Sequence, residues 1–232
     1  MMDPCISTRG TAHAKLYVLS PSGSGATTEH IGFNSRIGAL FIGIPLPLPD
    51  GRVVVNARSF GRERLVVMGL GKDAVAFAET DEETAAPMAL VGTEQVAFLI
   101  GSGANQTIAL ASAANGRIVR KLAGPKGAAF TSIGSSPDGE TIYYSASGSV
   151  WSIPATDGMP RKLRAGDMMA VDRYREELIV GLTEKRGVRL VRQPLAGGPE
   201  RPIPVQGDVQ ITDYPLNSAP SARMGGSWCR PY

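Results

Sequence analysis

Chemistry in a polypeptide needs a few residue types at workable spacing, and this sequence is sparing with them. Histidine, the usual proton carrier near neutral pH, occurs only as His13 and His30, both ahead of the regular part of the chain. Cys5 and Cys229 stand near opposite ends with no further ligand types at metal-binding spacing. A structural zinc site is therefore not expected; a bridge closing the two ends is the lesser alternative. Gly134-Ser135-Ser136-Pro137 lacks the second glycine of a G-x-S-x-G nucleophile elbow. With both histidines outside the region around it, a Ser-His-Asp arrangement has no base. Kinase catalytic-loop motifs of the H-R-D and D-F-G kind are also missing.

Phosphate and metal chemistry fare no better. Gly69-Leu70-Gly71-Lys72-Asp73 has a lysine but not the G-x-x-x-x-G-K-[ST] spacing that cradles a phosphate. Gly101-Ser102-Gly103 and Gly23-Ser24-Gly25 are lone glycine pairs at hairpin positions, where turns need positive φ. Asp50-Gly51, Asp138-Gly139 and Asp157-Gly158 each offer one carboxylate, whereas a calcium site needs several convergent oxygens. They read as turns, with Asp capping its own backbone and Gly in the left-handed position. Tyr143, Tyr144 and Trp151 are single aromatics within strand-like runs and are expected to fill packing layers, not to form a ligand cage. No residue is assigned a catalytic, cofactor-binding or metal-binding role, no cofactor is expected, and the chain is read as not an enzyme.

The elements around these residues are short and extended. With 28 Gly and 17 Pro in 232 residues, the chain is punctuated too heavily for a helical protein. The best helical stretch is Asp73 to Thr84, and the expectation there is one short helix. Ser135 to Leu163 alternates turn and strand three times in under thirty residues: Pro137-Asp138-Gly139, then Thr141 to Tyr144, a Ser-Gly turn, Ser149 to Ile153, Thr156-Asp157-Gly158, and Pro160 to Leu163. That is an antiparallel meander.

The meander repeats. Starts of the comparable third strand fall near Leu65, Thr107, Ser149 and Val188, at intervals of 42, 42 and 39 residues. In the fourth copy Tyr174-Arg175-Glu176 stands where the Asp-Gly turn was. An apolar run precedes each copy: Ala39 to Ile44, Met88 to Val91, Ala128 to Ile133, Met168 to Val171 and Val209 to Ile211. Such runs suit an innermost strand packed between neighbours, and one four-stranded unit cannot bury both faces alone. Four short strands at this period are the signature of propeller blades. The fold class is all-β, an incomplete β-propeller of about four to five blades.

The blades are placed at about 37–79, 86–123, 127–164 and 167–205, after a half-blade at 15–33 that opens with the run Lys15 to Leu19. An irregular segment, 1–14, precedes the span 15–216, and an irregular tail, 217–232, follows it. One permitted codon choice for Pro220 to Cys229, read one base earlier, spells Val-Gly-Lys-Asp-Gly-Arg-Ile-Leu-Val, a blade opening; the expectation is a longer protein whose end is altered by a frameshift.

The string SPDGETIYYSASGSVWSIPATDGMPRKL resembles the TolB-type, WD-repeat-like propeller blade; KLYVLSPSG, PLPDGRVVVNAR and VRLVRQPLAGGPERPI match parts of the same pattern. Blades of this wording occur in periplasmic TolB proteins, in the propeller of prolyl-oligopeptidase-like peptidases, and after bacterial serine/threonine kinase domains. VWSIPATDGMPRKL and VRLVRQPLAGGPERPI are most similar to the kinase-associated group. The resemblance implies a non-catalytic module for protein interaction or ligand sensing, a fragment of a larger bacterial protein such as a kinase sensor region. A substrate-gating propeller of a prolyl-oligopeptidase-like hydrolase, or a TolB-like periplasmic interaction protein, is the alternative.

Partners are bounded by charge. The net charge is only +3 and the basic residues are scattered, without the alternation with aromatics that a nucleic-acid groove requires. A protein partner or small ligand is expected at a propeller face, with self-association through exposed terminal blades. The N-terminus has no apolar signal core, and Ile37 to Leu48 is short for a membrane span and contains Pro45 and Pro47. As written, the chain reads as cytoplasmic.

Overall fold

The computed structural model describes residues 40–59, 62–69, 74–125, 127–185 and 187–204. The half-blade at 15–33, the run Val209 to Ile211, both terminal segments, both histidines and both cysteines lie outside these residues. Within them the chain is a succession of sixteen strands in four antiparallel sheets. The first is β1 (Leu40–Pro47), β2 (Val53–Ser59), β3 (Arg62–Met68) and β4 (Val75–Ala76). The second is β5 (Thr84–Val91), β6 (Gln95–Ile100), β7 (Thr107–Ser112) and β8 (Ile118–Lys121). The third is β9 (Phe130–Ser135), β10 (Thr141–Ala146), β11 (Ser149–Pro154) and β12 (Arg161–Ala165). The fourth is β13 (Met168–Asp172), β14 (Glu177–Glu184), β15 (Gly187–Pro194) and β16 (Arg201–Pro202). Each is a simple meander, strand pairing with the next in sequence. These are propeller blades.

Among the described residues 74–84, the helix expected at Asp73 to Thr84 does not form. Val75–Ala76 pairs with Val66 and Val67 as the fourth strand of the first sheet, and Phe77 and Ala78 are buried. Alanine-rich helix propensity is worth tenths of a kcal/mol per residue, and strand pairing with burial of Phe77 outweighs it. Pro45 and Pro87 are both accommodated at a sheet edge. The registers of β1 against β2 and of β5 against β6 shift between Ile42 and Leu46 and between Ala85 and Ala89. Proline cannot donate to the ladder, so an edge strand with a bulge is where it fits.

Two compact units divide the described residues, one ending at Phe77 and the other beginning at Ala78. In the first, Val53, Val55, Ala57, Val66 and Met68 form one buried cluster on β2 and β3. In the second, β9 lies beside both β5 and β13, so the leading strands of the three sheets are neighbours. Period-two alternation along β10 then serves both sides of the third sheet. Ile142, Tyr144 and Ala146 enter the layer against the second sheet, with Leu99, Ile108 and Leu110. Tyr143 enters the layer against the fourth, with Met169, Leu178, Val180 and Val191. Tyr144 is fully buried and stacks on Trp151 at 6.4 Å between ring centroids and 6° between planes.

The sheets are also tied by polar contacts. Met169 N–H donates to Ser132 Oγ at 2.9 Å, and Ser135 Oγ donates to Leu90 O at 2.8 Å. Thr131 Oγ1 donates to Asp167 O at 2.6 Å, and Arg173 donates to Pro137 O at 3.1 Å. Close approach requires small residues: a Cβ on Gly134 would stand 2.6 Å from Val171 Cγ2, and one on Gly166 2.5 Å from Val180 Cγ1.

Candidate functional site

The carboxylates of the Asp-Gly turns are occupied by the turns themselves. Asp50 Oδ1 accepts from Arg52 N–H at 3.1 Å, Asp138 Oδ1 from Glu140 N–H at 2.9 Å, and Asp157 Oδ1 from Gly158 N–H at 2.8 Å. Gly51 and Gly139 sit at φ +83° and +76°. The Arg52 backbone N–H, with the Arg52 guanidinium, holds the Asp50 carboxyl below its ordinary value; for Asp138 the Ser136 hydroxyl does most, helped by the Glu140 N–H. The hydroxyls of Ser135 and Ser136 are bound to Leu90 O and to Asp138. No group of three or more His, Cys, Asp or Glu among the described residues could hold a metal ion. Of the Gly69 to Asp73 stretch only Gly69 is described. Gly101 N–H donates to Glu83 O at 2.9 Å, and a 3-10 turn spans Gly103–Asn105.

A cleft of about 670 Å³ opens instead between the third and fourth sheets. It runs over β10, β11 and β12 on one side, and the start of β14 with the β15–β16 turn on the other. Its apolar wall is made by Ile153, Leu163, Leu178, Pro194 and Leu195, with Met159 at the mouth, 80% exposed. Leu163 and Leu195 pack on the same cluster that joins the two sheets, so the wall continues the core.

Pairing register decides which polar groups join it. Tyr143 lies opposite Ser152, and Ser152 opposite Arg161, so the three form one row across β10, β11 and β12 on a single face. All three line the cleft. The register of β11 against β12 then shifts: Trp151 faces Lys162 but Val150 faces Arg164. This bulge at Leu163 lets Leu163 and Arg164 both line the cleft, where strict alternation would send them to opposite faces.

The lining holds two cations, Arg161 and Arg164, and no carboxylate. Arg164 pairs with Glu200, which also reaches Arg189 at 3.7 Å; Arg189 in turn pairs with Glu184 at 2.7 Å. Arg161 is exposed and has no carboxylate partner among the described residues. Burial, then the Asp138 carboxylate, push the Tyr143 hydroxyl above its ordinary value, with Arg161 opposing. Tyr143 therefore stays a protonated hydrogen-bond donor at neutral pH. None of these residues was singled out as a site by the sequence except Tyr143, as a packing residue. The signal that could have found them is the recurrence of Arg161 and Arg164 around Leu163, whose meaning depends on the bulge.

No family model matches this sequence, and no curated protein matches it. Solved structures do. TolB from Acinetobacter baumannii aligns at a TM-score of 0.63 and 16% identity, over 90% of this chain and 52% of that one. A putative TolB from Agrobacterium tumefaciens aligns at 0.60 and 14%, over 81% and 73%. A prolyl endopeptidase aligns at 0.56 and 10%, over 86% of this chain and 32% of that one. The chain thus spans about half the length of the Acinetobacter protein. At such identities the likeness is one of fold, and what the meanders, the layers between them and these alignments together establish is a β-propeller module with a TolB-like fold.

Proposed function

We propose that this chain is a non-catalytic binding module that holds an extended segment of a protein partner in the cleft between its third and fourth sheets. One observation carries the reading: a concave site of about 670 Å³ combines a continuous apolar wall with a row of hydrogen-bond donors. That volume falls in the range of ligand sites, and such a mixture of wall and donors is their usual make-up. The serine hydroxyls nearest a nucleophile motif support the same reading, being tied to Leu90 O and Asp138. One fold hosts many functions, so the site and not the fold decides what is bound.

The test is a peptide selection on the full chain. Enriched peptides should bind the wild type and lose about tenfold or more in affinity against Ala196→Arg, which fills the cleft mouth from an exposed position. Peptides unaffected by that variant, or no enrichment over an unrelated propeller, would overturn the reading.

The wording of Val150 to Leu163 and Val188 to Ile203 supports placing the module in a longer bacterial protein, after a serine/threonine kinase domain. The likeness to a prolyl endopeptidase favours a second context, a propeller beside a hydrolase domain. The flanking coding sequence separates the two: a kinase domain upstream for one, a G-x-S-x-G hydrolase for the other.

A further inference from the structure

Building on that reading of the cleft, we infer that it selects an acidic side chain on the bound segment, seated on the row Tyr143, Ser152 and Arg161, with a neighbouring apolar side chain against Leu163 and Leu195. The row consists of a phenol, a hydroxyl and a guanidinium on three successive strands of one sheet face. Directly opposed residues on neighbouring strands stand about 5 Å apart at Cβ. The small Ser152 between two long side chains leaves room above it that both can reach. Tyr143 and Ser152 are each 8% exposed, so their donors are presented from a largely desolvated floor. Arg161 closes the row at the solvent edge.

Charge decides what the row wants. Three donors line the cleft there and no carboxylate does, the Asp138 carboxylate acting on Tyr143 from outside the lining. Arg164 is already answered by Glu200, across the gap between the sheets. Arg161 is not answered among the described residues. A carboxylate accepts from a guanidinium and from hydroxyls at once, and such charge-assisted bonds are the strong ones. A free anion would leave the adjoining wall of Leu163, Leu178 and Leu195 without a partner, whereas a peptide brings the next side chain to it.

The selection is therefore run on wild type and on Arg161→Glu in parallel. Wild type should enrich Asp or Glu beside an apolar residue, and Arg161→Glu should enrich Lys or Arg at the same place. For one selected acidic peptide, measured by fluorescence anisotropy, Arg161→Gln and Glu→Gln in the peptide should each cost about tenfold, and the two together no more than either alone. Ser152→Ala should weaken the acidic peptide and leave its Gln counterpart unchanged. If selected peptides are blocked by Ala196→Arg but show no acidic preference and ignore Arg161→Gln, this inference is overturned and the binding cleft stands. If no peptide is blocked by Ala196→Arg, the cleft reading fails and the inference with it.

Discussion

At the scale of single residues, the most informative side chain is Tyr144. It is fully buried, yet its hydroxyl has no hydrogen-bond partner among the described residues. Tyr144→Phe should leave stability unchanged or raise it by up to about 1 kcal/mol, while Tyr144→Ala should cost about 3–5 kcal/mol, read from urea midpoints. Burial pushes its ionisation up to about 12. An unfolded tyrosine titrates near 10. Above that pH the unfolded chain sheds a proton that the folded chain keeps. The stability from this group is thus intact below about pH 10 and falls by roughly 1.4 kcal/mol per unit toward pH 12. Tyr144→Phe should flatten that part of the alkaline unfolding curve.

Ser132 makes the opposite case. Its hydroxyl accepts the Met169 N–H inside the layer between two sheets, and it is fully buried. Ser132→Ala leaves that N–H unpaired and should cost about 1–3 kcal/mol. Gly139 combines φ +76° with backbone contact: a Cβ there would stand 2.7 Å from Gly92 N. Gly139→Ala should therefore destabilise by about 1–3 kcal/mol. That Gly139 needs the left-handed region was legible from Asp138-Gly139 alone; that the turn abuts Gly92 was not, since it follows from the neighbouring sheet.

At the scale of elements, the turns and spacing carried most of the fold. The third strands expected near Thr107 and Ser149 are β7 and β11, which begin at those residues. Where the turn chemistry departed from Asp-Gly, the sequence was harder to read. In the β13–β14 turn Asp172 does the capping, accepting from Tyr174 and Arg175 N–H at 3.2 and 3.1 Å, and Glu176 takes φ +52°. The Arg175 N–H contributes most to holding the Asp172 carboxyl below its ordinary value, so its share of stability is present at neutral pH and is lost as pH falls through that lowered value. The Leu163 bulge was invisible because an extra residue is defined only against its partner strand. The helix expectation at Asp73 to Thr84 failed for a related reason, since propensity carries no information about pairing partners.

The layer joining the third and fourth sheets also makes a prediction at this scale. Met169 is fully buried among Tyr143, Val150, Leu178, Val180 and Val191. Met169→Ala should cost about 2–5 kcal/mol, and because the same layer floors the cleft, it should weaken peptide binding as well.

At the scale of the molecule, the unit from Ala78 onward is held through its middle sheet. The third sheet shares one apolar layer with the second and another with the fourth. Stability in repeat architectures is nearly a sum of units and interfaces, so the member with two interfaces opens last. The outer strands β8, β12 and β16 are mostly exposed and basic. Native-state hydrogen exchange should show the slowest amides in β9 and β10 and the fastest strand amides in β8 and β16.

The repeat, and with it the fold class, could be seen in one sequence because each blade carries its own turns and strands. The cleft could not, because it joins residues from two repeats and depends on the register within one of them.

Binding of a partner segment in the cleft beside Tyr143, Ser152 and Arg161 is tested most directly by hydrogen exchange with and without a selected peptide. Slowed exchange confined to β10–β12 and the turn from Leu195 to Gly197 is the result predicted. Slowing confined to the second sheet, or none at saturating peptide, would contradict it.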